Sequence, residues 1–223
     1  MKRATVIVAG GSGSRMGSTI PKQYLDLNGK PILIRTIEKF LSFDAEMKVV
    51  LVIPEQDQER WNKLKERYLA TANITAVSGG KTRFHSVKNG LSATGEVDYV
   101  GIHDAVRPLV SQRTLEFCFE AATKYDTVVP VYPMKSSLRK LEGDHSRAVD
   151  RSSIVAVQTP QCFPKKVISK AFEQDYQEIF TDDATVAEFA GYKVHCVDGN
   201  EENIKITTPY DLKIAEVLVD SGF

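Results

Sequence analysis

Cysteine is sparse in this chain. Cys118, Cys162 and Cys196 are the only three in 223 residues, they lie far apart, and no CxxC pair occurs. That spacing does not suit a zinc site, and the three read as reduced packing thiols of a cytosolic protein. A surplus of either charge is also missing, with 29 Lys and Arg against 29 Asp and Glu and a formal net charge of zero. Nucleic-acid binders usually carry a basic footprint, so no nucleic-acid partner is expected. No apolar run approaches the roughly 20 residues of a membrane-spanning helix. Met1-Lys2-Arg3-Ala4 leads straight into a strand-like segment with no signal-peptide core, which predicts a cytoplasmic location and no membrane partner.

The hydrophobic (42%) and charged (26%) fractions are those of a globular domain, and the length suits one domain, 1–223, with room for a small appendage. Residues 5–8, 49–53, 74–77, 99–102 and 128–131 are apolar, β-branched runs that read as strands. Between them lie amphipathic stretches. Residues 55–69 carry Trp61, Leu64 and Tyr68 at helical spacing; a second stretch puts Val87 and Leu91 on one face; 114–122 turns Leu115, Cys118, Phe119 and Ala122 inward. The pattern predicts an α/β fold with a mostly parallel sheet and helices on both faces. Residues 135–150 break the rhythm, forming two polar strands around Glu142-Gly143-Asp144 with no hydrophobic face. A hairpin of that kind is marginal in water, so it must pack on the body or reach another subunit. A last helix is announced by Thr208 as cap, Pro209 at its first position and Asp211 three after the cap.

The first strand runs into Ala9-Gly10-Gly11-Ser12-Gly13-Ser14-Arg15-Met16, with Lys22 following Pro21. Successive backbone N–H groups in a glycine-rich turn form an anion-binding nest, and two cations beside it suit a triphosphate under attack at its α-phosphorus. The loop is neither a Rossmann fingerprint, since Met16 stands where the third glycine belongs, nor a Walker loop, since Arg15-Met16 replaces Gly-Lys-Ser/Thr. It resembles the signature loop of nucleotidyltransferases that move a nucleoside monophosphate onto a sugar phosphate. His103-Asp104-Ala105-Val106-Arg107-Pro108 closes another strand: Asp104 is a candidate Mg²⁺ ligand, Arg107 a candidate fork on a second phosphate, and His103 a structural partner. Thr181-Asp182-Asp183 reads as a helix start capped by Thr181, with the two acids alternatively a catalytic pair. An attacking phosphate monoester already carries about −1.5 to −2 charge, so it needs cations more than a base. Arg107, Arg151 and Lys205 are therefore the better candidates.

Taken in order, VAGGSGSRM with PKQYL, SGGKTRFHSV, HDAVRPL, VDR, QTPQCF, TDDA and NIKITTPYDL are similar to the 2-C-methyl-D-erythritol 4-phosphate cytidylyltransferases of isoprenoid biosynthesis, over about residues 4–216. The resemblance implies a Rossmann-like three-layer nucleotidyltransferase fold with a protruding β-arm. It also implies CMP transfer from CTP to a sugar-alcohol phosphate with Mg²⁺, in a homodimer clasped by the arm. By the same resemblance, Arg15 and Lys22 stabilise charge at the α-phosphate, while Arg151 and Lys205 position the acceptor. Ala9, Gly10, Gly11, Gly13, Gly80, Ser86 and Asp104 belong to the nucleotide pocket, and Arg107, Ser137, Thr159 and Thr181 to the acceptor site. Two departures stand out: Ala9-Gly10-Gly11 replaces the usual Ala-Ala-Gly, and Ser136-Ser137 the usual Asp-Thr of the arm, where a carboxylate is lost. The rival readings are ribitol 5-phosphate cytidylyltransferase, which generally lacks VDR and TDDA, and a dinucleotide-binding oxidoreductase or non-catalytic nucleotide module. The latter class predicts a ribose-binding acid after the second strand, where Pro54-Glu55 fits poorly.

Overall fold

The β-branched runs form the centre of the protein. In a computed structural model describing residues 1–11, 17 and 20–223, β1 (Arg3–Val8) is followed by the short pair β2 (Asp26–Leu27) and β3 (Lys30–Pro31), then α1 (Ile32–Phe43) and β4 (Lys48–Ile53). Next come α2 (Gln58–Tyr68), β5 (Ile74–Ser78), α3 (Arg83–Ala93), β6 (Tyr99–Asp104), α4 (Gln112–Ala121) and β7 (Thr127–Pro133). The hairpin β8 (Leu138–Glu142) and β9 (His145–Val149) precedes β10 (Val155–Val157), β11 (Gln161–Pro164), α5 (Lys165–Ala171), α6 (Asp183–Phe189), β12 (Val194–Asp198) and α7 (Pro209–Asp220). The main sheet runs β10-β7-β11-β6-β1-β4-β5, with β12 also on β7. β1 pairs in parallel with both β4 and β6, and β4 with β5, whereas β11 and β10 run antiparallel to their neighbours. The sheet is thus mixed and mostly parallel, as the alternation predicts. β2, β3, β10, β11 and β12 are absent from the sequence-based assignment, because each is short or polar at its edges.

Period-two alternation divides the core into two layers. One face carries Ile7, Val49, Leu51 and Ile53 against Leu33, Ile37 and Phe40 of α1, Trp61 of α2, and Leu115 and Phe119 of α4. The other carries Ala4, Val6, Val50 and Val52 against Phe84, Val87 and Leu91 of α3, Ile168 of α5 and Val186 of α6. A fully buried side chain of this size contributes roughly 1.5–3 kcal/mol, so burial on both faces explains near-continuous apolar strands. Helix α3 lies so close that a Cβ on Gly90 would stand 2.4 Å from Val6 Cγ1 and 2.8 Å from Val52 Cγ2. A third cluster, with Leu27, Ile32, Val106, Ile206 and Ala215, seats α7.

Two helix starts differ in how well the local signal reads. Thr208 and Asp211 form the reciprocal capping box expected of α7. At α6 the cap is Asp182, accepting from Thr185 N–H, and not Thr181; the carboxylate is one residue nearer the first turn. The hairpin stands as its own two-stranded sheet, its residues mostly exposed and Leu141 at 79%.

Candidate active site

β1 lies between β6 on one side and β4 and β5 on the other, so the strand order reverses there and leaves a crevice beyond the carboxyl ends. A cavity of about 570 Å³ occupies it. Its floor is the turn after β1: Ala9 N–H donates to Val52 O (2.8 Å) and Gln23 Nε2 donates to Ala9 O (2.8 Å). The second glycine turn is fixed similarly, Gly79 N–H to Ile53 O (2.8 Å) and Gly80 N–H to Ser86 Oγ (3.0 Å). A Cβ on Gly80 would lie 2.4 Å from His85 Cβ and 2.9 Å from its backbone carbon, so only glycine fits where α3 begins. Gly10 is the contrary case, since a Cβ there meets nothing within 4 Å. The alanine usual at that place in the resembling family would therefore fit, and the departure is mild. Gly11 makes room for Lys22, whose Cε lies 3.3 Å from where a Cβ would be. Ala9, Gly10, Gly11, Lys22, Gly80, Ser86, Asp104 and Lys205 all line this cavity. Arg15 and Gly13 lie outside the described residues.

The charged end of the cavity is built around Asp104. Lys205 Nζ stands 3.1 Å and Arg107 Nε 3.2 Å from its Oδ2. Burial alone would raise this carboxyl, but Lys205, Arg83 and Arg107 together hold it well below the usual carboxylate range. The backbone behind it is tied by a directional chain. His103 Nε2 donates to Arg107 O (3.1 Å), which can only accept, so Nδ1 accepts from the Thr159 hydroxyl (3.0 Å). The Thr159 oxygen in turn accepts the Asp104 N–H (3.2 Å). Burial pushes the His103 ring down to about 4, so it is neutral and structural, as expected. Asn203, fully buried, donates to Thr159 O (2.9 Å), and its own carbonyl accepts from Arg107 Nη1 (2.7 Å). The ring Asp104–Arg107–Asn203–Thr159 thereby fixes the segment that carries Lys205, two residues on.

The remaining candidates differ in their surroundings. Arg107 gives Nε to Asp104 and Nη1 to the Asn203 carbonyl, so protein contacts set the direction of the guanidinium expected to meet a second phosphate. Thr159, expected at the acceptor site, is buried with its hydroxyl held by His103 and Asp104, which makes it a support of Asp104. Thr181 is exposed, outside the cavity lining, 3.5 Å from the Thr185 hydroxyl. Asp182 and Asp183 follow the helix-start reading and not the alternative of a catalytic pair: Asp182 caps α6, and Asp183 takes the Arg83 guanidinium on both oxygens (2.8 and 2.6 Å). Ser137 and Arg151 are exposed at the base of the hairpin and line no part of their own chain's cavity; Arg151 Nη1 donates to Lys135 O. Lys205 and Arg107 also border a second hollow of about 240 Å³ beside this base, with Tyr132, Gln158 and Glu201.

Gln23, Arg83 and Asn203 are the supporting residues that motif reading passes over. Asn203 stands inside a motif without being singled out, and no local pattern distinguishes Arg83 from a solvated helix residue. Among the described residues, no group of three His, Cys, Asp or Glu could hold a metal by itself.

Residues 4–221 match the family described as 2-C-methyl-D-erythritol 4-phosphate cytidylyltransferase. Proteins bearing that name from Phocaeicola vulgatus and Bacteroides fragilis are 48% and 47% identical to this chain, over 98% of it and 100% of theirs. The solved 4-diphosphocytidyl-2C-methyl-D-erythritol synthase of Anaerococcus prevotii superposes with a TM-score of 0.84 at 28% identity, over 98% of each chain.

Proposed function

The chain belongs to the 2-C-methyl-D-erythritol 4-phosphate cytidylyltransferase family, and from that premise we propose how its residues divide the work. It is a nucleotidyltransferase, transferring CMP from CTP to 2-C-methyl-D-erythritol 4-phosphate, with release of pyrophosphate, in isoprenoid biosynthesis. The observation that carries the assignment of roles is the convergence of two glycine turns, Lys22, Asp104 and Lys205 on one cavity. The amides around Ala9–Gly11 and the Gly80–Ser86 turn hold the nucleotide. Lys22, with Arg15, meets the negative charge that grows as the α-phosphorus becomes five-coordinate. Lys205 lines both hollows, so it stands where a donor phosphate and an acceptor phosphate would meet and holds the acceptor in line. The acceptor phosphate is itself the nucleophile, and no recognisable motif of this chain supplies an activated Ser, Cys or His, so the transfer is direct, with no covalent enzyme intermediate.

Asp104 suits Mg²⁺, which binds through one or two carboxylates together with substrate phosphates rather than in an all-protein cage. When bound, the ion supplies charge neutralisation to the phosphates; Asp104 is the residue that would hold it. The exposed hairpin 135–150, which has no core of its own, is the dimerisation arm, and through it Ser137 and Arg151 serve the neighbour's site. Ser137 keeps the hydroxyl of the family's Asp-Thr pair without its carboxylate. A cytoplasmic location accords with three free cysteines. The test is pyrophosphate release from CTP with methylerythritol phosphate and ribitol 5-phosphate offered separately. Release with the former is expected; release with ribitol phosphate alone, or a nucleotidylated protein trapped with labelled CTP, would refute the reading.

A further inference from the structure

The Arg83–Asp183 pair joins two segments a hundred residues apart. Arg83 is the first residue of α3 and lines the nucleotide cavity, its side chain 30% exposed; Asp183 is the first residue of α6 and is fully buried. The contact is a two-pronged fork, with Nη1 on Oδ1 and Nη2 on Oδ2, the geometry in which a guanidinium holds a carboxylate most rigidly. The start of α6 is anchored a second time by Gln161, which donates through Nε2 to Asp182 (2.7 Å) and accepts the Ala184 N–H through Oε1 (2.7 Å). Gln161 belongs to β11, which pairs with β6, the strand that ends in Asp104. The α6 start is therefore a fixed post relative to Asp104, and the fork ties α3 to that post. Helix α3 carries Ser86, whose hydroxyl holds the Gly80 amide at the opposite wall.

We propose that Arg83 and Asp183 act together as a positioning pair for the nucleotide: the fork sets the spacing between the Gly80–Ser86 wall and Asp104, so Asp183 governs CTP binding without touching CTP. The inference rests on the cavity being the CTP site. It separates two halves of a motif that reads as one unit, because Thr181 lies exposed at the surface while Asp183, two residues later, points its charge into the nucleotide wall. Burial opposes charge on both partners: Asp183 holds Arg83 above its ordinary value, whereas at Asp183 burial outweighs the opposing pull of Arg83 and leaves the carboxyl raised. Removing one partner leaves the other charge buried and uncompensated, whereas removing both does not.

Asp183→Asn keeps the shape and loses the charged fork; Arg83→Lys keeps the charge and loses the second prong. Calorimetric titration with CTP is expected to show about tenfold weaker binding in each, within the range of coupling found for contacting residues. The KM for methylerythritol phosphate at saturating CTP is expected to change less than about twofold. The double variant Arg83→Gln/Asp183→Asn is expected to bind CTP no worse than the weaker single variant. Wild-type CTP affinity in a folded Asp183→Asn, or a rise confined to the acceptor's KM, would overturn the proposal; if Asp183→Asn does not fold, the same reading is taken from Arg83→Lys. Wild-type protein that fails to bind CTP at all would instead refute the site assignment beneath it.

Discussion

Lys22 and Lys205 are single positive charges bordering one cavity, yet their settings separate them. Lys22 lies against Gly11 in the phosphate-loop region, whereas Lys205 pairs with Asp104 and also faces the second hollow. Lys22→Ala is expected to lower kcat and kcat/KM together by about a hundredfold or more, the usual size of a lost transition-state stabiliser. Lys205→Ala is expected to raise the acceptor's KM with only a partial fall in kcat, and to leave CTP affinity nearly unchanged. Steady-state kinetics and CTP calorimetry of both variants test this, and a strong loss of CTP affinity in Lys205→Ala would sink the assignment. His103 makes a different prediction. Its ring is neutral in the folded state with its value pushed down to about 4, against 6.5 when unfolded, while Asp104 and Arg107 beside it act in opposite senses. Between those values the unfolded chain binds more protons, so stability rises with pH; the contribution is complete above 6.5 and is lost as pH falls towards 4. The most this one group supplies is about 3 kcal/mol. Urea unfolding at a series of pH values is expected to show a flatter dependence in His103→Asn than in wild type, and equal slopes would contradict the assignment.

At the scale of elements, α3 is the piece whose placement matters most. Its start carries Thr82 as cap, Arg83 and Ser86, and its middle presses on β1 and β4 through Gly90. Alanine ordinarily gains about 1 kcal/mol over glycine inside a helix. Here the added carbon would overlap Val6 and Val52, both fully buried and stiff at χ1, so overpacking of about 1–3 kcal/mol outweighs the gain. Gly90→Ala is thus expected to lower the unfolding midpoint and to weaken CTP binding by lifting the helix from the sheet. An unchanged or raised midpoint would show that the two valines can yield.

For the whole molecule, the proposed role of the hairpin as a dimerisation arm makes the subunit number testable. Its strands share no core with the body; the pair Lys135–Glu201 and the Arg151–Lys135 contact tie only its base. Deleting residues 135–150 and bridging the gap with a short Gly/Ser linker should leave the two-layer core folded, as circular dichroism and cooperative melting would report. On the proposed reading, in which Ser137 and Arg151 serve the neighbour's site, the same variant should sediment as a monomer and lose transfer activity. A deletion variant that still sediments as a dimer would place the interface elsewhere.

Local pattern was enough to read the parallel heart of the sheet and the helices on its two faces, since a strand buried on both sides must be apolar throughout and a covering helix must repeat every three to four residues. The glycine turns and Asp104 were legible for a related reason: they fall at strand ends, where backbone must approach a ligand or turn sharply. Tertiary structure alone decided which polar and charged groups are spent on the protein. Arg107 and Thr159 look in sequence like groups awaiting a substrate, while Asp183 reads first as part of a helix start and Asn203 carries no such local signal, and each of the four has a protein partner 44 to 100 residues away. Periodicity reports which face of an element is apolar; it carries no information on the register between two elements brought together by packing, and that register determines whether a guanidinium meets a carboxylate or a phosphate.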